Sequence, residues 1–81
     1  MPTVLQLPGL RVVIYPNDHG PAHVHVIGGH EALFELNCRD GPVSLRKNFG
    51  FALHELNKIQ KLLAEHLSTL CSEWERIHGH A

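Results

Sequence analysis

The sequence predicts an α+β fold, in which an antiparallel β-meander precedes one long amphipathic helix. In residues 3–46, short runs of β-branched and other apolar residues alternate with turn residues, which is the pattern of consecutive strands. From residue 52 onward the apolar residues recur every three or four positions, which is the period of an amphipathic helix. The connections are short and favour antiparallel neighbours. At 81 residues the chain is expected to form a single domain, 1–81, with one modest core.

Four to five short strands are expected in the first half of the chain. The turn sequences that separate them are P-G, P-N-D, G-G and R-D-G-P, because these residue types favour the backbone angles of tight turns. The run L-R-V-V-I-Y has the strongest strand signal, since it is rich in β-branched side chains. The expected strands lie at about 3–7, 10–15, 22–27, 31–36 and 43–46.

One helix is expected over about residues 52–77, packed on one face of the sheet. No proline or glycine interrupts this segment before Gly79, so the pattern predicts a continuous helix. The charged residues of the segment lie off the apolar stripe and are expected to face solvent. The stripe consists of Leu56, Ile59, Leu63, Leu67, Leu70, Trp74 and Ile77.

The register of the central hairpin follows from its apolar pattern. A two-residue loop would place His23 opposite Phe34. A three-residue loop over residues 28–30 places Val24 opposite Phe34 instead, so that apolar residues face one another on the core side. Since a one-residue slip moves every side chain to the other face, the three-residue loop is favoured. It also places His23 within cross-strand reach of Glu35.

The segment H-G-P-A-H-V-H-V, residues 19–26, is the main candidate for function. It contains His19, His23 and His25, and strand alternation puts the last two on the same face. Imidazole can bind a metal, transfer a proton or change charge near neutral pH. The candidate site therefore comprises these three histidines and Glu35, the carboxylate expected across the hairpin.

Four interpretations of this cluster remain open. In the first, His23 and His25 bind a divalent transition metal such as zinc, and His19 or Glu35 completes the ligand set. In the second, the imidazoles and the carboxylate act as general acid and base without a metal. In the third, the cluster contacts a partner protein. In the fourth, His19 stabilises the turn and the other two histidines are solvent-facing strand residues.

Composition excludes some classes of protein. Seven Lys and Arg against eight Asp and Glu give no support for nucleic-acid binding by bulk charge. No apolar stretch is long enough to span a membrane, and we expect no signal peptide.

Cys38 and Cys71 form no C-x-x-C pair, so two free thiols in a cytoplasmic protein are expected. A core this small gains stability from a partner chain or a homodimer.

Several segments together resemble a small bacterial family, a domain of unknown function with an H-x-P-P-H-x-H-V signature. These segments are M-P-T-V-L, I-Y-P-N-D-H-G-P-A-H-V-H-V, N-F-G-F and the E-W-E near the end of the helix. The resemblance implies a gene pair of toxin–antitoxin type, and hence a small co-encoded partner protein. The positions that match the family pattern are His19, Pro21, His23, His25, Asn48, Gly50 and Phe51.

The chain departs from the family pattern at two positions. Ala22 stands where the signature has its second proline, which leaves the preceding loop less rigid. Ala52 stands where the family tends to have serine, three residues before Glu55. Loss of this Ser-x-x-Glu capping box is expected to cost about 1 kcal/mol of helix stability.

Two functions are therefore expected from different classes. The first is a component of a two-gene, toxin–antitoxin-like module that acts through a partner protein. The alternative is a small hydrolase that acts on RNA or a nucleotide, either with a metal or by general acid–base catalysis. An enzyme needs a concave pocket with convergent polar groups, whereas an interface has exposed apolar neighbours.

Overall fold

The computed structural model describes residues 3–39 and 42–79, which form a five-stranded sheet followed by two helices. Neighbouring strands are all antiparallel and follow chain order, so the predicted meander is confirmed. Asp40 and Gly41 of the last predicted turn lie outside the described residues. The elements are β1 (Thr3–Leu7), β2 (Leu10–Val13), β3 (His23–Ile27), β4 (Glu31–Glu35), β5 (Ser44–Phe49), α1 (Leu53–Glu65) and α2 (Leu67–His78).

The prediction of one long C-terminal helix is wrong. The helix ends at Glu65 and a second helix begins at Leu67, because His66 leaves the helical conformation with φ −112° and ψ 18°. The backbone N–H of His66 bonds to the carbonyl of Leu63 at 3.1 Å, three residues back instead of four. Leu63 and Leu70, on either side of this bend, are both fully buried. Within the described residues, no helix has the length and hydropathy needed to cross a membrane.

The register of the central hairpin is confirmed. Val24 pairs with Phe34 and His23 pairs with Glu35. The loop has three residues, and the N–H of Gly28 donates to the carbonyl of His30 at 2.9 Å. This register keeps the apolar side chains of both strands on one face.

The two faces of the sheet are covered differently. The helices cover one face, and β3 contributes Val24 and Val26 to the core on that side. On the other face, Val13 pairs with His25 and is 2% exposed, although it is not part of the main core. The segment between β2 and β3 lies at this second face. The main core consists of Leu7, Val12, Ile14, Val24, Val26, Ala32, Phe34, Leu36, Val43, Phe51, Leu56, Ile59, Leu63, Leu70 and Trp74.

The N-F-G-F segment forms the turn from β5 into α1. Asn48 accepts a hydrogen bond from the N–H of Phe51 and donates one to its carbonyl, both at 2.9 Å. Gly50 has φ 117°, and a Cβ there would collide with the ring of His30. These residues therefore have a structural role that requires their residue types.

The prediction of two free thiols is wrong. Cys38 and Cys71 form a disulfide with a Cα–Cα distance of 6.0 Å. The bond links the segment after β4 to α2 across a sequence separation of 33 residues. The sequence-based argument failed because only the packing of α2 brings these two distant residues together.

Candidate metal centre

A tight turn after β2 positions the carboxylate of the site. The N–H of Asp18 donates to the carbonyl of Tyr15 at 3.0 Å, and Pro16 occupies the second position of this turn, where its fixed φ is favourable. In return, the N–H of Tyr15 donates to Asp18 Oδ2 at 3.1 Å. The turn therefore holds the Asp18 side chain in one orientation beside β3.

Two histidines of β3 direct the same ring nitrogen toward this carboxylate. His25 Nε2 lies 3.1 Å from Asp18 Oδ2, and His23 Nε2 lies 3.5 Å from the same oxygen. Strand alternation explains why both rings reach it, since residues i and i+2 lie on one face. One ligand atom from each of the three residues lies within 4.8 Å of the others. The site is therefore built from one turn and one strand.

The other ring nitrogen of each histidine is held by an acceptor. His23 Nδ1–H donates to the carbonyl of Pro21 at 2.9 Å. His25 Nδ1 lies 3.2 Å from Glu31 Oε2, and Glu31 is the first residue of β4. In proteins, a histidine that binds a metal almost always donates its second ring N–H to a backbone carbonyl or a carboxylate, which fixes the tautomer. His23 has that arrangement, because a carbonyl can only accept, whereas His25 has a carboxylate at each of its ring nitrogens.

This hydrogen bonding leaves a charge imbalance at the centre. A neutral imidazole has one N–H, and a proton on Nδ1 leaves Nε2 with a bare lone pair. In His23 that lone pair would face the negatively charged oxygen of Asp18, and a neutral His25 has a lone pair facing either Asp18 or Glu31 in both of its tautomers. Both contacts are unfavourable unless a proton or a metal cation lies between the two atoms. With Glu31, the centre has two carboxylates for two imidazoles. A cation bound to the Nε2 atoms and Asp18 removes the imbalance.

The site is largely shielded from solvent and framed by aromatic rings. The side chains of His23, His25 and Asp18 are 6%, 13% and 15% exposed. The ring of Tyr15 lies edge-on to His25 with centroids 4.7 Å apart. The ring of Trp74 lies 5.3 Å from that of His23. Such shielding strengthens electrostatic interactions at the centre.

The structure brings together only part of the predicted site. His23 and His25 lie in contact, with ring centroids 5.4 Å apart. His19 is exposed and outside the group of three ligands. Glu35 pairs with His23 in the register, but its carboxylate lies 4.0 Å from Arg46 Nε.

Two residues of the candidate site were not assigned by the sequence analysis. Asp18 was treated only as a turn residue, and Glu31 was treated only as the start of a strand. A carboxylate in the turn that leads into an H-x-H strand was the available signal for Asp18. Glu31 is the first residue after the three-residue loop, and its contact with His25 spans six positions in sequence. Periodicity does not predict that contact.

Two of the distances between candidate ligand atoms are close to those expected around a transition metal. Two atoms that each lie ~2.1 Å from a tetrahedral zinc are ~3.4 Å apart. The His23–Asp18 and His25–Asp18 distances of 3.5 and 3.1 Å are close to that value. Two histidines and one carboxylate form a ligand set found in catalytic zinc and non-haem iron centres, which keep at least one coordination position for water or substrate.

The comparisons with known proteins support the coarser part of the resemblance drawn from the sequence, whereas the H-x-P-P-H-x-H-V signature and the gene pair stay predictions. Neither a curated protein nor a solved structure matches the chain. A family model does match residues 9–75. This range includes β2 to β5, the three ligand residues and most of both helices. The chain therefore belongs to the family described as Domain of unknown function (DUF4160).

Proposed function

We propose that this protein binds a divalent transition-metal ion through His23 Nε2, His25 Nε2 and the carboxylate of Asp18. One observation is the main support. Both histidines present Nε2 to the same carboxylate oxygen while their Nδ1 atoms are held by Pro21 and Glu31. A strand with two solvent-facing histidines needs no such arrangement, whereas histidines that bind a metal almost always have it.

The chemistry that such a centre supports is hydrolysis. A bound zinc ion lowers the pKa of a coordinated water toward neutrality and so supplies a nucleophile. Three protein ligands leave a position for that water. The chain contributes the ligands, the second shell that orients them and a partly desolvated surrounding. The substrate class that we propose is a phosphoester of RNA or a nucleotide, as in the hydrolase alternative of the sequence analysis.

The first experiment is a zinc titration of untagged protein by competition with a chromophoric chelator. The parent is expected to bind one zinc per chain, and His25→Gln is expected to abolish stoichiometric binding. His19→Gln is the matched control, because His19 is the neighbouring histidine outside the ligand group. Binding should weaken as the pH falls, since the ligands must lose their protons to bind. Equal binding by the parent and both variants would contradict the proposal.

Metal-free acid–base catalysis is the competing explanation of the same geometry. A proton between each Nε2 and Asp18 would also balance the charges. The two explanations differ in the apo protein. If the centre is an acid–base site, chelator-treated protein retains its activity on an RNA substrate, and added zinc has no effect. If it is a metal centre, activity and metal content are lost together.

The second candidate function is action through a partner protein, and the edge strand β5 favours it. This strand is exposed over almost its whole length. Large apolar side chains in and after it are also exposed: Leu45 is 43%, Phe49 is 57% and Leu53 is 73% exposed. A free strand edge with exposed apolar side chains is a site for strand addition by another chain.

The charges of β5 indicate the chemistry of this partner. Arg46 and Lys47 are exposed at the centre of the strand. In the registers that would pair most of β5 with a second copy of itself, one of these cations faces another, which is unfavourable. We therefore propose that the partner contributes an extended segment with alternating acidic and apolar residues. The co-encoded small protein implied by the family resemblance is the first one to test.

Co-purification with the product of the adjacent gene tests this second proposal. The variant with Arg46→Glu and Lys47→Glu is expected to lose the complex. The matched control carries Lys58→Glu and Lys61→Glu, which reverse two exposed charges on α1. Loss of the complex in both variants, or in neither, would contradict strand addition at β5.

A further inference from the structure

The Cys38–Cys71 disulfide lies beside the metal centre. It borders a cavity of about 650 Å³ that is also lined by Pro21 and Trp74. Both of these residues contact His23, since Pro21 accepts its Nδ1–H bond and Trp74 packs against its ring. The disulfide and the ligand His23 are therefore connected through two different neighbours.

The first connection runs along α2. Cys71 and Trp74 are three residues apart, and residues at this spacing lie on the same side of a helix. Only Leu70 and Trp74 are buried among the side chains of α2. Leu67, Cys71 and Ile77 add partly buried contacts with the core, and the disulfide adds a covalent link to the segment after β4. Loss of the bond is therefore expected to loosen the contact between Trp74 and His23.

The second connection runs through the segment after β4. The N–H of Leu36 donates to the carbonyl of Ala22 at 3.0 Å, which ties the segment that contains Cys38 to the residues just before β3. The neighbouring carbonyl, that of Pro21, holds His23 Nδ1. The disulfide thus secures both the ring face of His23 and the acceptor that sets its tautomer.

We propose that the redox state of this disulfide regulates the metal affinity of the centre, an inference that rests on the proposed metal-binding function. A dithiol reductant supplies two electrons and two protons; the S–S bond breaks, two thiols form, and the reductant becomes a cyclic disulfide. Cys38 is exposed, so a reductant can reach the bond. The oxidised form has the higher affinity because His23 is held in its ligand orientation.

Zinc affinity measured in the two redox states tests this proposal. Free thiolates bind zinc themselves, so the reduced state is represented by a variant with Cys38→Ser and Cys71→Ser. We expect its zinc affinity to be about tenfold weaker than that of the oxidised parent, the effect typical of losing a residue that orients a ligand. Affinities within about twofold of each other would overturn the proposal.

Two further variants separate regulation from a general loss of stability. Leu63→Ala removes a fully buried side chain of α1 away from the disulfide, and its affinity is expected to stay at the parent value below its unfolding transition. Trp74→Phe keeps the disulfide and alters its first connection to His23. If the serine variant does not fold, the parent with its reduced cysteines alkylated by iodoacetamide replaces it: weaker zinc binding than that of the oxidised parent supports the proposal, and unchanged binding overturns it.

An NMR measurement distinguishes failure of this inference from failure of metal binding. The ring resonances of His23 report its contact with Trp74 directly, without a metal. Reduction of the parent by a dithiol is expected to shift them, whereas those of exposed His19 stay in place. If the parent binds no zinc, the proposed function fails, but the shift of the His23 resonances still shows whether the disulfide is connected to His23. If the parent binds zinc and the His23 resonances do not move, the redox inference alone fails.

Discussion

Two segments of this chain, residues 48–51 and 18–25, contain polar side chains with two or more hydrogen-bonding atoms, and the structure uses them differently. In residues 48–51, both polar atoms of the Asn48 side chain bond to the backbone of Phe51. In residues 18–25, His23 uses one ring nitrogen for support and directs the other toward Asp18. The first arrangement is complete by itself and holds a turn. The second leaves ring nitrogens facing a carboxylate, which is the arrangement on which the proposed metal site rests.

The largest expected effect is a difference in zinc affinity between a variant of residues 18–25 and a variant of residues 48–51. Asp18→Asn is expected to weaken zinc binding by at least ~100-fold, since it removes the ligand charge that both imidazoles face. Asn48→Ala should leave zinc affinity unchanged. Chelator competition measures both variants. Equal zinc affinities of Asp18→Asn and Asn48→Ala would contradict the different roles of the two segments.

The second-largest expected effect is a loss of folding stability when the Asn48 turn is changed. Asn48→Ala removes two hydrogen bonds to the backbone of Phe51, and we expect it to lower the free energy of unfolding by about 2 kcal/mol. Asn48→Asp is a second variant: it retains the acceptor for the N–H of Phe51 but places a carboxylate oxygen against the carbonyl of Phe51, so it is also expected to lower stability. Urea denaturation measures both. An unchanged free energy of unfolding in Asn48→Ala would contradict the structural role.

A conservative change of the second shell sharpens the comparison. Glu31→Gln keeps an oxygen acceptor near His25 Nδ1 but removes the charge, and it is expected to weaken zinc binding by about tenfold. Glu35→Gln is the control, since the Glu35 carboxylate lies near Arg46 instead. Isothermal titration calorimetry with zinc measures the difference. If Glu35→Gln weakens zinc binding more than Glu31→Gln does, the carboxylate that supports the site is Glu35, as the sequence analysis predicted.

A smaller effect is expected where the N-F-G-F turn enters α1. Ala52 offers no side-chain acceptor, although Glu55 Oε1 still accepts the N–H of Ala52 at 3.2 Å. Ala52→Ser restores the missing half of the capping box and is expected to raise the free energy of unfolding by about 1 kcal/mol. Thermal unfolding measures this gain. Ala64→Ser in the last turn of α1 is the control, and it should bring no gain.

The smallest effect lies on α2, away from both segments. Arg76 Nη2 lies 2.6 Å from Glu73 Oε1, and this hydrogen bond holds the pKa of Glu73 below its ordinary value. The resulting stability is present at neutral pH and is lost as the pH falls through the lowered, folded-state pKa. Glu73→Gln should therefore lower the unfolding midpoint slightly at pH 7. If the difference from the parent persists at low pH, the ion pair is not its cause.

Much of the fold could be predicted because its determinants are local. The alternation of β3 and β4, together with the residues at 28–30, was sufficient to give the pairing of His23 with Glu35. The bend at His66 could not be predicted, because the apolar stripe keeps its period across it and no proline or glycine marks it. That bend depends on how two short helices fit one twisted sheet.

The candidate site was predictable in its histidines but not in its carboxylates. His23 and His25 share a face because adjacent strand residues alternate. The side chains that complete the site are Asp18 and Glu31, and their positions depend on how the turn after β2 folds and on where the hairpin ends. The contacts of Glu31 and Asp18 with the ring of His25 join residues that are six and seven positions apart in sequence. Such contacts follow from loop geometry, which residue periodicity does not describe.

The sequence by itself determined the α+β class, the antiparallel order of the strands, the hairpin register and the shared face of the two histidines. These features follow from the periods of strand and helix and from turn chemistry, which act over a few residues. Only the tertiary structure decided the break between the helices, the Cys38–Cys71 bond and the presence of Asp18 at the site. Each of these depends on the packing of segments that are distant or irregular in the chain, where no short-range pattern specifies the partner.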